Sequence, residues 1–123
     1  MITLHRGDIV LVNFGNHNGT SVQAGSRPAV VLQNTEQNAA SPTTIIAPLT
    51  SVLKKPDSSY HVVLGKRFNL RENSMVLTEQ IKTISQTSIK KTIGHIDDPS
   101  VLARIDRALI STLGISTSKE VST

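Results

Sequence analysis

Short runs of apolar and β-branched residues, separated by polar or glycine-containing segments, recur along most of the chain. Runs of four to eight such residues between turn-forming clusters are typical of β-strands. We predict strands over residues 8–13, 28–33, 43–50, 60–64 and 74–79, an extended continuation over 82–84, and a last short strand over 92–96. Residues 28–33 are almost continuously apolar, which predicts burial on both faces of that strand.

Two prolines refine this pattern. Pro28 stands at the first residue of its predicted strand, where the missing N–H is tolerated. Pro48 lies near the end of the third strand, so we expect that end to leave the hydrogen-bonded ladder or to lie at a sheet edge.

Polar segments connect the predicted strands. Residues 14–26 are rich in Gly, Asn and Ser and predict a long loop, a type that is usually functional or mobile. Residues 34–42 are interpreted as a polar connector, 51–59 as a basic loop, and 68–73 as a turn.

The end of the chain changes to helical periodicity. Val101, Leu102, Ile105, Leu109 and Leu113 recur at helical spacing. Asp98 followed by Pro99 is a typical helix start, and Gly114 stands where a helix ends. The sequence therefore predicts a helix over 99–113, within a single domain over 1–114 that is followed by a tail over 115–123. Several short strands followed by one helix favour a mainly β fold, a strongly bent antiparallel sheet or partly open barrel with the C-terminal helix on one face.

Composition narrows the class of protein. The chain has 123 residues, which is enough for one domain, and no apolar run approaches the ~20 residues of a membrane span. Cysteine is absent, which excludes disulfides, thiolate zinc sites and a cysteine nucleophile, and is consistent with the cytoplasm. Aromatic residues make up only 2%, so a nucleic-acid platform of stacked aromatic rings is not expected.

Positive charge is concentrated in one region. The chain has a formal net charge of +4, but the segment from Lys54 to Lys91 alone carries eight Lys and Arg residues and three acidic ones. Such an excess indicates an anionic partner, either nucleic acid or an acidic protein segment. The alternative is a solvated lysine-rich face that only maintains solubility.

One combination of residues suggests chemistry. The four histidines show no metal-ligand spacing, so neither a metal nor another cofactor is predicted. Arg27 stands where the long loop meets the second strand, and Thr50 and Ser51 stand where the third strand ends. A fixed guanidinium facing a hydroxyl suits a phosphodiester, because it can hold phosphate oxygens with two hydrogen bonds and stabilise charge on phosphorus. The alternative is that Arg27 only forms a surface ion pair.

Several motifs together resemble the MazF/PemK/Kid family of toxins. The similarity is carried, in order, by R-G-D-I-V-L-V at residues 6–12, G-S-R-P-A-V-V-L-Q-N at 25–34, S-P-T at 41–43 with A-P-L-T-S at 47–51, H-V at 61–62, E-Q-I-K-T-I at 79–84, and I-D-R-A-L at 105–109 with L-G at 113–114. The chain departs from the family pattern at Val22, where a glutamate is usual, and at Lys82, which replaces an arginine.

The resemblance implies an SH3-like barrel, a homodimer, and metal-independent, sequence-specific cleavage of single-stranded RNA in the cytoplasm. Arg27 and Thr50 match the family's catalytic residues, with the substrate's 2′-hydroxyl attacking phosphorus to leave 2′,3′-cyclic phosphate and 5′-hydroxyl ends. The residues expected to bind substrate are Ser21, Gln23, Ser51, Lys54, Lys55, Glu79 and Gln80. The resemblance also implies inhibition by a cognate acidic antitoxin.

Two alternatives to the nuclease remain at this point. Toxins that poison DNA gyrase share the same barrel, so the fold alone does not establish RNA cleavage. Val22 motivates the other alternative, a degenerate member that only binds an antitoxin.

Overall fold

The structure is a computed structural model that describes residues 2–15 and 25–116. Seven strands, two helices and two 3₁₀ turns follow one another within the described residues. They are β1 (Asp8–Asn13), β2 (Ser26–Val31), α1 (Thr35–Ala40), β3 (Thr43–Thr50), β4 (His61–Gly65), β5 (Ser74–Leu77), a first 3₁₀ turn (Thr78–Gln80), β6 (Lys82–Ser85), a second 3₁₀ turn (Gln86–Ser88), β7 (Ile89–His95) and α2 (Pro99–Leu113). The predicted mainly β fold with a C-terminal helix is confirmed.

The strands form one strongly bent antiparallel sheet in the order β4-β5-β3-β2-β1-β7, with β6 also paired to β3. The long strand β3 makes the bend, because it changes partners along its length. Thr43 to Ile46 pair with β6, Ile46 to Pro48 pair with β2, and Leu49 and Thr50 pair with β5. Pro48 is therefore the last residue paired with β2, in a central strand and not at a sheet edge.

The loop between β4 and β5 covers the side of the barrel that strand pairing leaves open. No pairing joins β4 to β7 among the described strands. Instead, the Asn69 side chain donates a hydrogen bond of 2.9 Å to the carbonyl oxygen of Ile93 in β7. The backbone of Phe68 approaches Gly94 so closely that a Cβ added at residue 94 would lie 2.1 Å from the Phe68 carbonyl oxygen. A glycine is therefore required at this contact.

Two clusters of buried side chains lie on opposite faces of the central strands. Ile9, Val30 and Ile105 belong to the larger cluster, which α2 covers, whereas Val10 and Val31 belong to the second. Since side chains alternate along a strand, neighbouring residues of β1 and β2 supply both clusters. The predicted burial of the second strand on both faces is confirmed, although β2 begins and ends two residues earlier than predicted.

Helix α2 has the predicted limits. The Asp98 carboxylate accepts a hydrogen bond of 2.9 Å from the backbone N–H of Ser100, Pro99 is the first helical residue, and Gly114 ends the helix with φ +67°. The helix packs on β4 and on the first 3₁₀ turn through Val101, Ile105 and Ala108, which are buried. None of the helices in the described residues is long and apolar enough to cross a membrane.

Strand β4 begins and ends one residue later than predicted, and three further elements differ more from the predictions. The polar connector contains α1, which Asn34 caps, and whose Asn38 is buried and hydrogen-bonded to Gln33 and Thr44. The fifth strand stops at Leu77 because the next three residues form a 3₁₀ turn. The last strand begins at Ile89, three residues before the predicted start. Residues 16–24 of the predicted loop and 117–123 of the predicted tail lie outside the described residues.

Candidate active-site cleft

A cleft of about 770 Å³ opens between the start of β2, the end of β3, the β4–β5 loop and β7. We call it the basic cleft because most of its charged lining residues are cations, Arg27, Lys66, Arg71 and Lys91, whereas Glu72 is the single acid among the described lining residues. Its apolar lining comes from Leu11, Pro28, Leu49, Leu70 and Ile93. Four cations and one carboxylate in a shared concavity favour an anionic ligand.

Strand register brings Arg27 and Thr50 to the same place. Ala29 pairs with Pro48 in the antiparallel β2–β3 ladder. Arg27 and Thr50 each lie two residues beyond this last pair, at the point where β3 turns from β2 to β5, and both line the cleft. On its other side Arg27 pairs with Val12 of β1. The arginine backbone is thus held in a central strand while its side chain lies on the exposed end.

The hydroxyl of Thr50 has a defined orientation. Its Oγ1 accepts a hydrogen bond of 3.1 Å from the backbone N–H of Val52, and Thr50 itself pairs with Met75 in β5. Because the oxygen accepts from the protein, its own proton can be donated to a ligand oxygen. Arg27 and Thr50 together offer a delocalised cation and an O–H donor, which is a suitable pair for a phosphate group.

The structure brings three of the predicted site residues together. Arg27, Thr50 and Ser51 all line the basic cleft. Lys54 and Lys55 are exposed in the loop that follows β3, and neither is among the described residues that line the cleft. Ser21 and Gln23, with Val22 between them, lie outside the described residues.

Glu79 and Gln80 lie in the first 3₁₀ turn, away from the cleft lining. Oε2 of Glu79 lies 2.7 Å from Nε2 of His61, and Gln80 is half-buried with its Oε1 atom shielded from solvent. Burial lowers the pKa of His61, but the hydrogen bonds to Glu79 and to the Lys55 carbonyl oxygen outweigh this effect and raise the pKa above 6.5. The proposed role of both residues in substrate binding stays a prediction.

A second pKa shift belongs to the helix start beside the β4–β5 loop. The hydrogen bond from the Arg67 guanidinium to Asp98, together with those from Ser100, lowers the pKa of the Asp98 carboxyl to about 2. The capping carboxylate of α2 is therefore ionised at any ordinary pH.

Sequence reasoning did not single out Lys66, Arg71 and Lys91 as cleft residues. All three belong to the positively charged segment, so the charge distribution contained the signal. What was missing was the topology that places the β4–β5 loop against β7 and thereby brings these three cations to Arg27. Within residues 2–15 and 25–116, no group of three His, Asp or Glu side chains is arranged to hold a metal ion.

The sequence matches a known family over nearly its whole length. Residues 5–113 match the family described as "PemK-like, MazF-like toxin of type II toxin-antitoxin system". Endoribonuclease EndoA of Bacillus subtilis (strain 168) is 35% identical over 111 residues, which cover 89% of this chain and 94% of the relative.

Solved structures share the fold. MazF from Deinococcus radiodurans (form I) superposes with a TM-score of 0.78 at 25% identity, covering 94% of this chain and all of the other. The MazE–MazF complex from the same organism (form II) gives a TM-score of 0.75 at 26% identity over 94% of this chain and 100% of the matched chain.

Proposed function

Because the chain belongs to the family of PemK-like, MazF-like toxins of type II toxin–antitoxin systems, we propose that it is a toxin endoribonuclease that cleaves single-stranded RNA. The observation that carries this proposal is the placement of Arg27, Thr50 and Ser51 in one positively charged cleft. The named activity of the 35% identical relative supports the nuclease over the gyrase-binding and antitoxin-binding alternatives.

The proposed reaction needs only the groups that line the cleft and the RNA itself. The 2′-hydroxyl oxygen of the nucleotide 5′ to the scissile linkage attacks phosphorus and loses its proton. The bond from phosphorus to the 5′-oxygen breaks, and that oxygen takes up one proton in exchange for the one that the 2′-hydroxyl lost, which leaves 2′,3′-cyclic phosphate and 5′-hydroxyl ends. Arg27 stabilises the negative charge on the phosphorane oxygens. Thr50 donates a hydrogen bond from its hydroxyl to a phosphate oxygen and so orients the group for in-line attack.

We assign substrate binding to further residues in two groups. Ser51 lies beside Thr50 in the cleft, where Lys66, Arg71 and Lys91 offer phosphate contacts. The family resemblance alone supports a role for Ser21, Gln23, Glu79 and Gln80, whereas Lys54 and Lys55 are supported by their positive charge in the exposed loop that follows β3. The nucleotide sequence that is cleaved depends on side chains that contact the bases. The residues of these two groups are the candidates for such contacts.

A cognate antitoxin is the proposed protein partner. One solved structure of this fold is an endoribonuclease from mycobacterial species in complex with its cognate antitoxin. We further propose a homodimer that acts in the cytoplasm, with residues 1–114 as one toxin domain and 115–123 as a tail. The apolar side chains of Val52, Tyr60 and Leu113 are exposed, which agrees with a surface that a second copy of the chain covers. Static light scattering, which measures the mass of the particle in solution, tests for the dimer.

The decisive experiment is incubation of the purified protein with long RNA in EDTA, followed by analysis of fragment ends. We expect discrete fragments with 2′,3′-cyclic phosphate and 5′-hydroxyl ends. A substrate with deoxyribose 5′ to the scissile phosphate is expected to survive, and its cleavage would exclude the 2′-hydroxyl mechanism. Intact RNA under all conditions would exclude the nuclease.

A further inference from the structure

A second, smaller pocket of about 290 Å³ lies between β4 and α2, and the proposed reaction does not use it. Ser59 and His61 form one wall, and Arg104, Arg107 and Ser111 form the other. The floor is apolar and comes from Val62 and Ala108. We call this site the arginine pocket.

The two arginines carry uncompensated charge. Arg104 and Arg107 are three residues apart on α2, so their exposed side chains lie on the same helix face. Neither forms an ion pair with a carboxylate within residues 2–15 and 25–116, and the nearby Asp106 is engaged at 2.6 Å by Arg6. Neighbouring like charges on a helix repel each other and mildly destabilise it, so an anionic ligand bound between the two arginines would reduce this repulsion.

The opposite wall is fixed by His61 and presents, among the described lining residues, one free hydroxyl donor, that of Ser59. Both ring nitrogens of His61 are engaged, Nδ1 at 2.8 Å from the Lys55 carbonyl oxygen and Nε2 at 2.7 Å from Glu79, and its side chain is only 9% exposed. The hydroxyl of Ser59 stands beside this ring, and that of Ser111 beside the arginines. No carboxylate is among the described residues lining the pocket. The two non-bridging oxygens of a phosphodiester lie at tetrahedral angles and can accept hydrogen bonds from donors on both walls, and two guanidinium groups compensate its charge.

One loop joins the arginine pocket to the basic cleft. It begins with Ser51 at the cleft, carries Lys54 and Lys55, and ends with Ser59 in the pocket. Strand pairing in the sheet also places the basic cleft near the arginine pocket. Thr50 pairs with Met75, which pairs with Val63, two residues from His61. Strand spacing of ~4.8 Å and a rise of ~3.3 Å per residue then set Thr50 and His61 roughly 12 Å apart measured along the sheet, which a short stretch of single-stranded RNA spans.

We infer that the arginine pocket binds a phosphate group of the RNA strand whose scissile linkage lies in the basic cleft. This inference rests on the proposed cleavage of RNA. The pocket would add affinity for substrates that extend beyond the cleft and would leave the chemical step at Arg27 unchanged.

The test compares Arg104→Gln, Arg107→Gln and the double variant with Lys90→Gln, which removes an exposed cation that lines neither site. Glutamine is a good helix former, so α2 is expected to remain folded. The probe is a fluorescent 2′-O-methyl RNA, which keeps its phosphates and cannot undergo 2′-hydroxyl attack. Affinity is measured over a range of salt concentrations, alongside a dinucleotide that offers only one phosphodiester.

We expect the double variant to bind the long probe several-fold more weakly. The salt slope, which is the slope of the logarithm of the binding constant against the logarithm of the salt concentration, is expected to be smaller by about 0.7 for each phosphate that the protein no longer neutralises. Dinucleotide binding, and every property of Lys90→Gln, are expected to match the wild type. A double variant with the affinity and salt slope of Lys90→Gln would overturn the inference.

Two other ligands, inorganic phosphate and an oligoglutamate peptide, are tested for binding to the same variants, because either could occupy the pocket instead of RNA. Loss of inorganic phosphate binding with unchanged RNA binding would identify a site for free phosphate and overturn the inference. Loss of binding to an oligoglutamate peptide with unchanged RNA binding would identify a site for an acidic protein partner and would also overturn the inference. If the wild type cleaves no RNA but the salt slope still falls in the double variant, the proposed nuclease fails and the phosphate pocket stands.

Discussion

Nε2 of His61 lies 2.7 Å from a carboxylate oxygen of Glu79, while Nδ1 of the same ring lies 2.8 Å from the carbonyl oxygen of Lys55. Both partners are acceptors, so the ring satisfies both only when both nitrogens carry a proton. The geometry therefore favours the charged imidazolium. His61 is the first residue of β4, and these two contacts fix the end of the loop that connects β3 to β4.

This arrangement predicts a pH-dependent contribution to stability. The pKa of His61 is raised in the folded protein, so its contribution is fully present below the ordinary value of 6.5. It is lost as the pH rises through the raised value. Glu79→Gln removes the carboxylate and is expected to lower the pKa of His61, as measured by an NMR titration of the ring protons. Glu36→Gln, on the exposed face of α1, is the control, and an equal effect of both substitutions would contradict the assignment.

The contact between Gly94 and Phe68 predicts a strong effect of one methyl group. A Cβ at residue 94 would lie 2.1 Å from a backbone carbonyl oxygen, which cannot rotate away as a side chain can. Gly94→Ala is expected to cost about 1–3 kcal/mol in the free energy of unfolding, the usual range for overpacking, measured by urea denaturation. It should also reduce RNA cleavage, because the displaced loop carries Lys66 and Arg71.

Gly114→Ala is the matched comparison for this substitution. Gly114 has φ +67° and open space around it, so alanine there adds strain of about 1 kcal/mol and no clash. Its cleavage activity is expected to match the wild type. Equal stability and activity of the two variants would show that the β4–β5 loop does not depend on the close approach at Gly94.

The strands and α2 could be predicted because their signals are local. The limits of α2 follow from Asp98, Pro99 and Gly114, each of which acts within one helical turn. Helix α1 was missed because it has one turn and a half and is stabilised by contacts that periodicity does not encode. Its Asn38 is buried through bonds to Gln33 and Thr44, so a polar residue occupies a core position.

The site was predictable only where residues lie close to strand ends. Arg27 and Thr50 could be placed together because each lies two residues beyond the Ala29–Pro48 pair that ends the β2–β3 ladder. Lys66, Arg71 and Lys91 reach the same cleft through the contact of Asn69 with Ile93, which links residues 24 positions apart. Such a contact depends on tertiary packing, and no local pattern reports it.

Arg27 is expected to be essential for cleavage and unimportant for folding. Its side chain lies on an exposed strand end, so Arg27→Ala should change the free energy of unfolding by less than about 1 kcal/mol. Loss of one preorganised charge donor should reduce the cleavage rate by a factor on the order of 10²–10³. Arg27→Lys keeps the charge but loses the paired donors, and should restore only part of the rate. A single-turnover assay measures both variants, with Lys90→Ala as a surface control; wild-type cleavage by Arg27→Ala would remove this residue from the mechanism.

Lys54 and Lys55 are expected to attract RNA and an acidic partner alike. They are exposed in the loop that begins at Ser51 in the basic cleft, and they add to the positive field without lining the cleft itself. Charge reversal by Lys54→Glu with Lys55→Glu should therefore weaken both ligands at low salt, and should reduce the salt dependence of RNA affinity. The measurement is a binding titration with single-stranded RNA and with an acidic antitoxin segment, each at low and high salt, with Lys90→Glu as the control for charge reversal elsewhere. If the double variant binds both ligands as the wild type does at every salt concentration, the two lysines are solvated bystanders and the model of a field shared by RNA and antitoxin must be abandoned.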